Sequence, residues 1–247
     1  MAASVREVYQ SLRDIVNKDQ RGFITPSEFN SLAAVAQMSI FNKMFSEMTK
    51  IESLRRRNID SARDKSRLKQ IKEDLSLFSK TATIIKQNGV YAKPADLAKI
   101  ISISTLGQQL LGQTTSIPID VIYDEEKLHY VLQSNLSAPK ETSPIAFLSD
   151  SIAVYPSQIN KISLRYYKQP EGISPTTGQR TASLPKFGFT VANATELYDP
   201  LTSVDFELPE HYTQEIVIEM ASMIGVNLRD SSVYQYGATE SQKIAAK

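Results

Sequence analysis

The chain has 247 residues, 41% of them apolar, with 28 Lys and Arg against 27 Asp and Glu. That length supports one or two domains with a core that needs no staples, and the near-neutral balance gives the chain as a whole no bulk affinity for nucleic acid or membrane. Zero Cys excludes disulfides, thiol nucleophiles and thiolate metal sites; two His (His129 and His211) exclude three-His and HExxH centres; nine Gly, about half the usual share, argue against a glycine-rich cofactor fold.

The opening stretch carries Arg6, Glu7, Arg13 and Asp14 and has no apolar h-region. No window approaches about 18 uninterrupted apolar residues. The expectation is a chain made without export and without a membrane span. Asn135-Leu136-Ser137 and Asn193-Ala194-Thr195 match the glycosylation pattern, which a cytosolic chain does not use.

Val5, Val8, Tyr9, Leu12, Ile15 and Val16 recur at spacings of three and four, which predicts a first helix with one apolar face. The stretch from Asn17 to Thr25 breaks it. Thr25-Pro26-Ser27-Glu28 then opens a second helix, with Thr25 at the cap, Pro26 at the first helical position and Glu28 three residues after the cap. Phe29, Leu32, Ala33, Ala36, Ile40, Met44 and Met48 continue an apolar stripe, read as core or subunit contact.

Between Lys50 and Lys72 nine cations (Lys50, Arg55, Arg56, Arg57, Arg63, Lys65, Arg67, Lys69 and Lys72) face three acids (Glu52, Asp60 and Asp64). This reads as a charged helical arm or hinge. Arg55, Arg56, Arg57, Arg63, Lys65, Arg67 and Lys69 are the candidate interface or DNA-facing residues. No aromatic residue is interleaved for base stacking, which favours a solvated or interface face over a grip on nucleic acid.

Past Leu75 the pattern turns to strands. Lys99–Ser104, Ile119–Tyr123, Ile152–Tyr155, Lys161–Tyr167, Phe187–Val191 and Val204–Leu208 are β-branched or alternating. Glu125–Leu136 reads as a short helix. Gln169–Pro185 reads as a long loop able to reach a neighbouring subunit. Pro209-Glu210-His211-Tyr212 starts a strong helix whose apolar side is Tyr212, Ile216, Met220, Met223 and Ile224, widened by Val217 and Ala221 and ended or kinked at Gly225.

The fold class is therefore α+β. A helical region with a basic arm spans residues 1–85. A strand-rich body closed by a C-terminal helix spans residues 86–228. A polar tail spans residues 229–247. The stripes of the first 50 residues need cover from the body or from the next subunit.

Two near-motifs fail on chemistry. Residues 17–28 approach an EF-hand loop, but Asn17 replaces the first carboxylate and Arg21 puts a cation at a ligand position. A helix–turn–helix corner with Glu28 in a capping box is the reading preferred, and no metal or other cofactor is expected. Residues Gly107–Thr114 outline a phosphate loop, but Gln113 stands where the phosphate-binding Lys must be. A polar turn after a strand is expected there. His129 with Asp124, Glu125 and Glu126 reads as a solvated helix start, and so does His211 beside Glu210.

Four stretches resemble a family of tailed-phage virion proteins: the ring or collar proteins of crAss-like and related Bacteroidetes-infecting podoviruses, found between portal and tail. They are Asn17 to Asn30, Val154-Tyr155-Pro156, Leu164 to Pro170, and Pro209 to Arg229. The resemblance implies a non-enzymatic virion component that forms a closed, twelvefold homomeric ring. Its implied partners are further copies of itself, the portal, other tail ring proteins and the genomic DNA that passes through the channel. Its implied place is the virion neck or tail, with assembly in the host cytoplasm. The alternative is a nucleic-acid-binding or packaging-associated module that uses the basic 50–72 stripe.

Overall fold

The computed structural model describes residues 2–17, 24–57, 61–106, 108–110, 113–192 and 195–227, with Thr239 and Gln242. In chain order its helices are α1 (Val5–Asn17), α2 (Pro26–Arg56), α3 (Ala62–Ser76), α4 (Glu125–Gln133) and α5 (Thr213–Asn227). The strands that precede α4 are β1 (Ser79–Ile85), β2 (Leu97–Thr105), β3 (Gln108–Leu110), β4 (Gln113–Thr115) and β5 (Pro118–Ile122). After α4 come β6 (Ile145–Leu148), β7 (Ile152–Tyr155), β8 (Lys161–Lys168), β9 (Gly172–Ile173), β10 (Arg180–Thr181), β11 (Phe189–Ala192), β12 (Thr195–Tyr198) and β13 (Asp205–Phe206). The fold is mixed α+β.

Two compact units divide the chain: Met1–Asp74 with Pro170–Lys247, and Leu75–Gln169. This corrects the expected boundaries. The helical region stops at Ser76, and Ser79–Ile85 is a strand. The C-terminal helix packs against α1 and α2. The expected tail of 229–247 lies outside the described residues, apart from Thr239 and Gln242.

In the first unit the apolar stripes of α1 and α2 find their cover within the chain. Val5, Val8, Leu12, Phe29, Ala33 and Ile40 are buried, and so are Ile216, Met220, Ala221 and Ile224 of α5. Gly225 lies within α5, which runs on to Asn227. The start of α1 is tied to the far end of the sequence: Ala3 N–H donates to the Leu208 carbonyl at 2.9 Å, and Val5 N–H donates to Asp205 Oδ1 at 2.8 Å. Burial pushes the Asp205 carboxyl up, and the Val5 N–H opposes this.

Thr25 caps α2 as its sequence predicts. Glu28 N–H donates to Thr25 Oγ1 at 3.3 Å, and Thr25 N–H donates back to Glu28 Oε2 at 3.0 Å, a capping box. One helical turn on, Asn30 clasps Phe187: its Nδ2 donates to the Phe187 carbonyl at 3.2 Å and its Oδ1 accepts the Phe187 N–H at 2.7 Å. The Phe187 ring stacks 4.2 Å from Tyr9, whose other neighbour is Phe29 at 5.3 Å. This aromatic knot joins α1, α2 and the segment before β11.

The segment read as a reaching loop is folded on its own chain. Strand β9 is central in a three-stranded sheet, order β10-β9-β13, with Gly172 opposite Phe206 and Thr181. A Cβ at Gly172 would sit 2.1 Å from Val204 Cγ1 and 2.7 Å from the Ser183 carbonyl, so only glycine fits. Glu207 completes the tie. Its side chain is 1% exposed, accepts the Glu171 N–H at 2.8 Å and pairs with Arg180 at 2.8 Å.

The second unit is built on a six-stranded sheet, order β1-β8-β2-β5-β6-β7. In β8, Ile162, Leu164 and Tyr166 are buried and alternate with exposed or half-buried residues. They pack with Ile103, Ala146, Ile152 and Val154 in one core. Ala82 and Ile84 of β1 lie opposite Leu164 and Ile162. Strands β5 and β6 are parallel, and α4 supplies the crossover that a parallel pair requires. Its Leu128 packs with Ile122 and Ile145. Strands β3 and β4 form a two-stranded hairpin in which Gln113 leads a strand, where a phosphate loop would lead a helix. Gly107, Leu111 and Gly112 lie outside the described residues.

Candidate functional site

The candidate cations sit on the last turns of α2 and on α3, and the structure divides them into two groups. Arg67, Lys69 and Lys72 are engaged. Arg67 donates to Glu47 Oε2 through Nε at 3.2 Å and Nη2 at 3.1 Å; Lys72 meets Glu52 at 2.9 Å; Lys69 meets Glu73 at 3.6 Å, four residues along α3. Burial works against the Arg67 charge, and Glu47 together with Tyr212 and Glu215 outweighs it, so the guanidinium stays firmly protonated.

Arg55, Arg56, Arg57 and Arg63 are exposed, as are Lys65 and the engaged Lys69. The first three end α2, where cations suit the helix dipole. Arg63 and Lys65 lie in the first turns of α3, where the dipole disfavours them. Asp64 offsets this through a second capping box: Ser61 N–H donates to its Oδ2 at 2.9 Å, and Asp64 N–H donates to Ser61 Oγ at 3.2 Å. Those bonds from Ser61 hold the Asp64 carboxyl below the usual range. Beside the two helices lies a 570 Å³ cleft whose lining includes Ile51 and Leu54, the cations Lys50, Arg63 and Arg67, and the acids Glu47, Asp64 and Glu215.

A second cluster has no counterpart in the sequence reading. His211, expected only as a helix-start residue, places Nε2 3.1 Å from Asp74 Oδ2, and the buried Tyr212 hydroxyl donates to that same oxygen at 2.9 Å. Burial, and then the Asp74 charge, push the Tyr212 phenol far up. Glu215 lies one turn on in α5. Burial pushes its carboxyl up, and Arg67 opposes this. The signal that could have found the cluster is Asp74, an acid three residues after Ile71 and beside Leu75, on the apolar side of α3. Thr213 Oγ1 donates to the Glu210 carbonyl at 2.6 Å, so the neighbouring hydroxyl is committed to the backbone. The cluster pins the end of α3 to the start of α5. Among the described residues no group of three metal-ligating side chains comes together.

Large side chains face solvent at several places among the described residues, Leu136, Leu184 and Leu201 among them. Strands β11 and β12 form a sheet of only two strands, on which Val191 is 67% and Leu197 52% exposed. On the second unit Tyr123 and Tyr130 flank the first turns of α4, both about three-quarters exposed. Near them, Asp124 caps α4 by accepting the Glu126 N–H at 3.0 Å, and His129 is exposed.

Of the calcium-like corner, Glu28 sits in the capping box of α2, and residues 18–23 lie outside the described residues. No helix among the described residues is long and apolar enough to cross a membrane. Comparison with known protein families finds no matching family, and comparison with curated proteins finds no match.

Proposed function

We propose that this chain is a non-enzymatic structural ring protein of a tailed-phage neck or tail, linking portal to tail and forming part of the DNA channel. The reading places it in the virion, after assembly in the host cytoplasm. Its partners are copies of itself in a twelvefold ring, the portal, other tail ring proteins and the DNA in the channel.

The observation that carries the reading is the β11–β12 ribbon. A two-stranded ribbon is marginal alone in water, and this one exposes Val191 and Leu197. Such a ribbon gains stability by burial against another surface. The resemblance to phage collar proteins supplies the kind of assembly, and a head-to-tail contact repeated with closure gives a ring. The capping boxes, the ion-paired arm and the aromatic knot support it too, because they spend their polar groups on holding helices in place.

The alternative, a nucleic-acid-binding or packaging-associated module, draws on the exposed Arg55, Arg56 and Arg57. Electron microscopy of the purified chain or of the virion separates the two. Rings around a channel support the first. A monomer that shifts duplex DNA in a salt-dependent way supports the second.

A further inference from the structure

We propose that the exposed arginines at the junction of α2 and α3 dock on the acidic, tyrosine-bearing face of α4 in the next copy of this chain. The inference rests on the ring reading and names one of the contacts that closes the ring.

The arm's own acids leave a defined remainder. Glu47, Glu52 and Glu73 are matched to Arg67, Lys72 and Lys69. Arg55, Arg56, Arg57 and Arg63 stay exposed. Helix stability accounts for the position of the three at the end of α2, and Asp64 lies within charge range of Arg63 in the first turn of α3, so the arginines at the end of α2 are the larger remainder. The whole chain carries a net charge of only +1, so the cation excess of the arm is balanced by acids elsewhere on the same molecule.

The α4 face offers the matching chemistry. Glu125 and Glu126 are exposed, and Tyr123 and Tyr130 are 73% and 75% exposed. Glu126 and Tyr130 are four residues apart and share the helix face opposite the buried Leu128. Lys127 and His129 flank that face and leave it net acidic. A guanidinium pairs in bidentate fashion with a carboxylate and stacks on an aromatic ring, and this face presents both partners side by side. Tyr130 on α4 and Tyr123, just before its N-cap, are too exposed to serve the core of their own unit. Phosphate backbone would satisfy the arginines but would leave the tyrosines and the acids unexplained. A contact between two different patches can repeat head to tail from copy to copy, the arrangement that a ring requires.

The test uses the full chain, with mass measured in solution by sedimentation velocity. Three variants are compared with the wild type: R55E/R56E/R57E, E125R/E126R, and the two sets combined. Circular dichroism confirms that each is folded. At about 0.1 M salt either reversed set alone lowers the assembled fraction at least about tenfold. The combined variant carries both patches with signs exchanged, and it restores the wild-type mass. Raising salt to about 1 M, where the Debye length falls to about 3 Å, weakens wild type and combined variant alike.

The inference is overturned if the wild type assembles and arm reversal leaves its mass unchanged. It is equally overturned if the combined variant stays as dispersed as the single sets. Arm reversal that leaves mass intact but abolishes salt-sensitive duplex DNA binding assigns the arginines to nucleic acid and overturns it. A wild type that is monomeric under every condition overturns the ring reading itself, a result distinct from the others.

Discussion

At the scale of single residues, the polar groups in this chain act mainly as ties between distant segments. Glu28 is the simplest case. Hydrogen bonds from the Thr25 N–H and hydroxyl hold its carboxyl below the usual range. A depressed folded-state pKa contributes stability that is present above the unfolded value, about 4.3, and lost as pH falls through the folded value. Urea titrations from neutral to acid pH therefore show an acid-dependent loss that Glu28→Gln reduces. Thr25→Ala costs about 1 kcal/mol at neutral pH in the same assay. Glu207 is the more demanding case. Its carboxylate is 1% exposed and pairs with the half-exposed Arg180. Arg180→Met removes a charged donor from that buried carboxylate, at a cost of about 1–3 kcal/mol, and adding Glu207→Gln recovers much of it. Equilibrium unfolding of the single and double variants measures both numbers. The Thr25 box was legible because its spacing is local. The Arg180–Glu207 pair was not, because the partners are joined only by the folding-back of residues 170–185.

At the scale of elements, legibility followed the length of the periodic signal. Helices α1, α2 and α5 were readable because their apolar residues repeat over several turns, and β7 and β8 because they alternate cleanly. Strand β1 was missed: only Ala82 and Ile84 turn inward, too short an alternation to outweigh a preceding helix. Strand β6 was missed because four apolar residues after Pro144 carry no period at all. Strands β9 and β10 have two residues each, and the pairing of β9 with β13 is long-range, so sequence shows only a proline- and glycine-bearing loop. Strand β8, which pairs with both β1 and β2, is where the sheet is most sensitive. Leu164 is fully buried there. Leu164→Ala lowers unfolding free energy by roughly 2–5 kcal/mol, measured by chemical denaturation, whereas the same change at the exposed Leu136 stays within about 0.5 kcal/mol.

At the scale of the whole molecule, the division into units could not be read along the chain because one unit is discontinuous. Residues 2–9 are tied to residues 205–209, and α5 covers the stripes of α1 and α2. A linear reading assigns α5 to the strands it follows. The candidate cations were legible as a composition shift, but their division into paired and exposed groups needed the geometry of Glu47, Glu52 and Glu73. The account makes the β11–β12 ribbon an assembly element and not a folding element. Val191→Asp with Leu197→Asp therefore leaves the circular dichroism spectrum and the melting temperature within error of the wild type. The same pair of changes lowers the mass observed by light scattering to that of single chains. The central claim, a closed homomeric ring, is tested most directly by electron microscopy of the purified chain with mass measured on the same sample. The account predicts many copies around an open channel. A single copy, or a two-fold dimer without a channel, would contradict it.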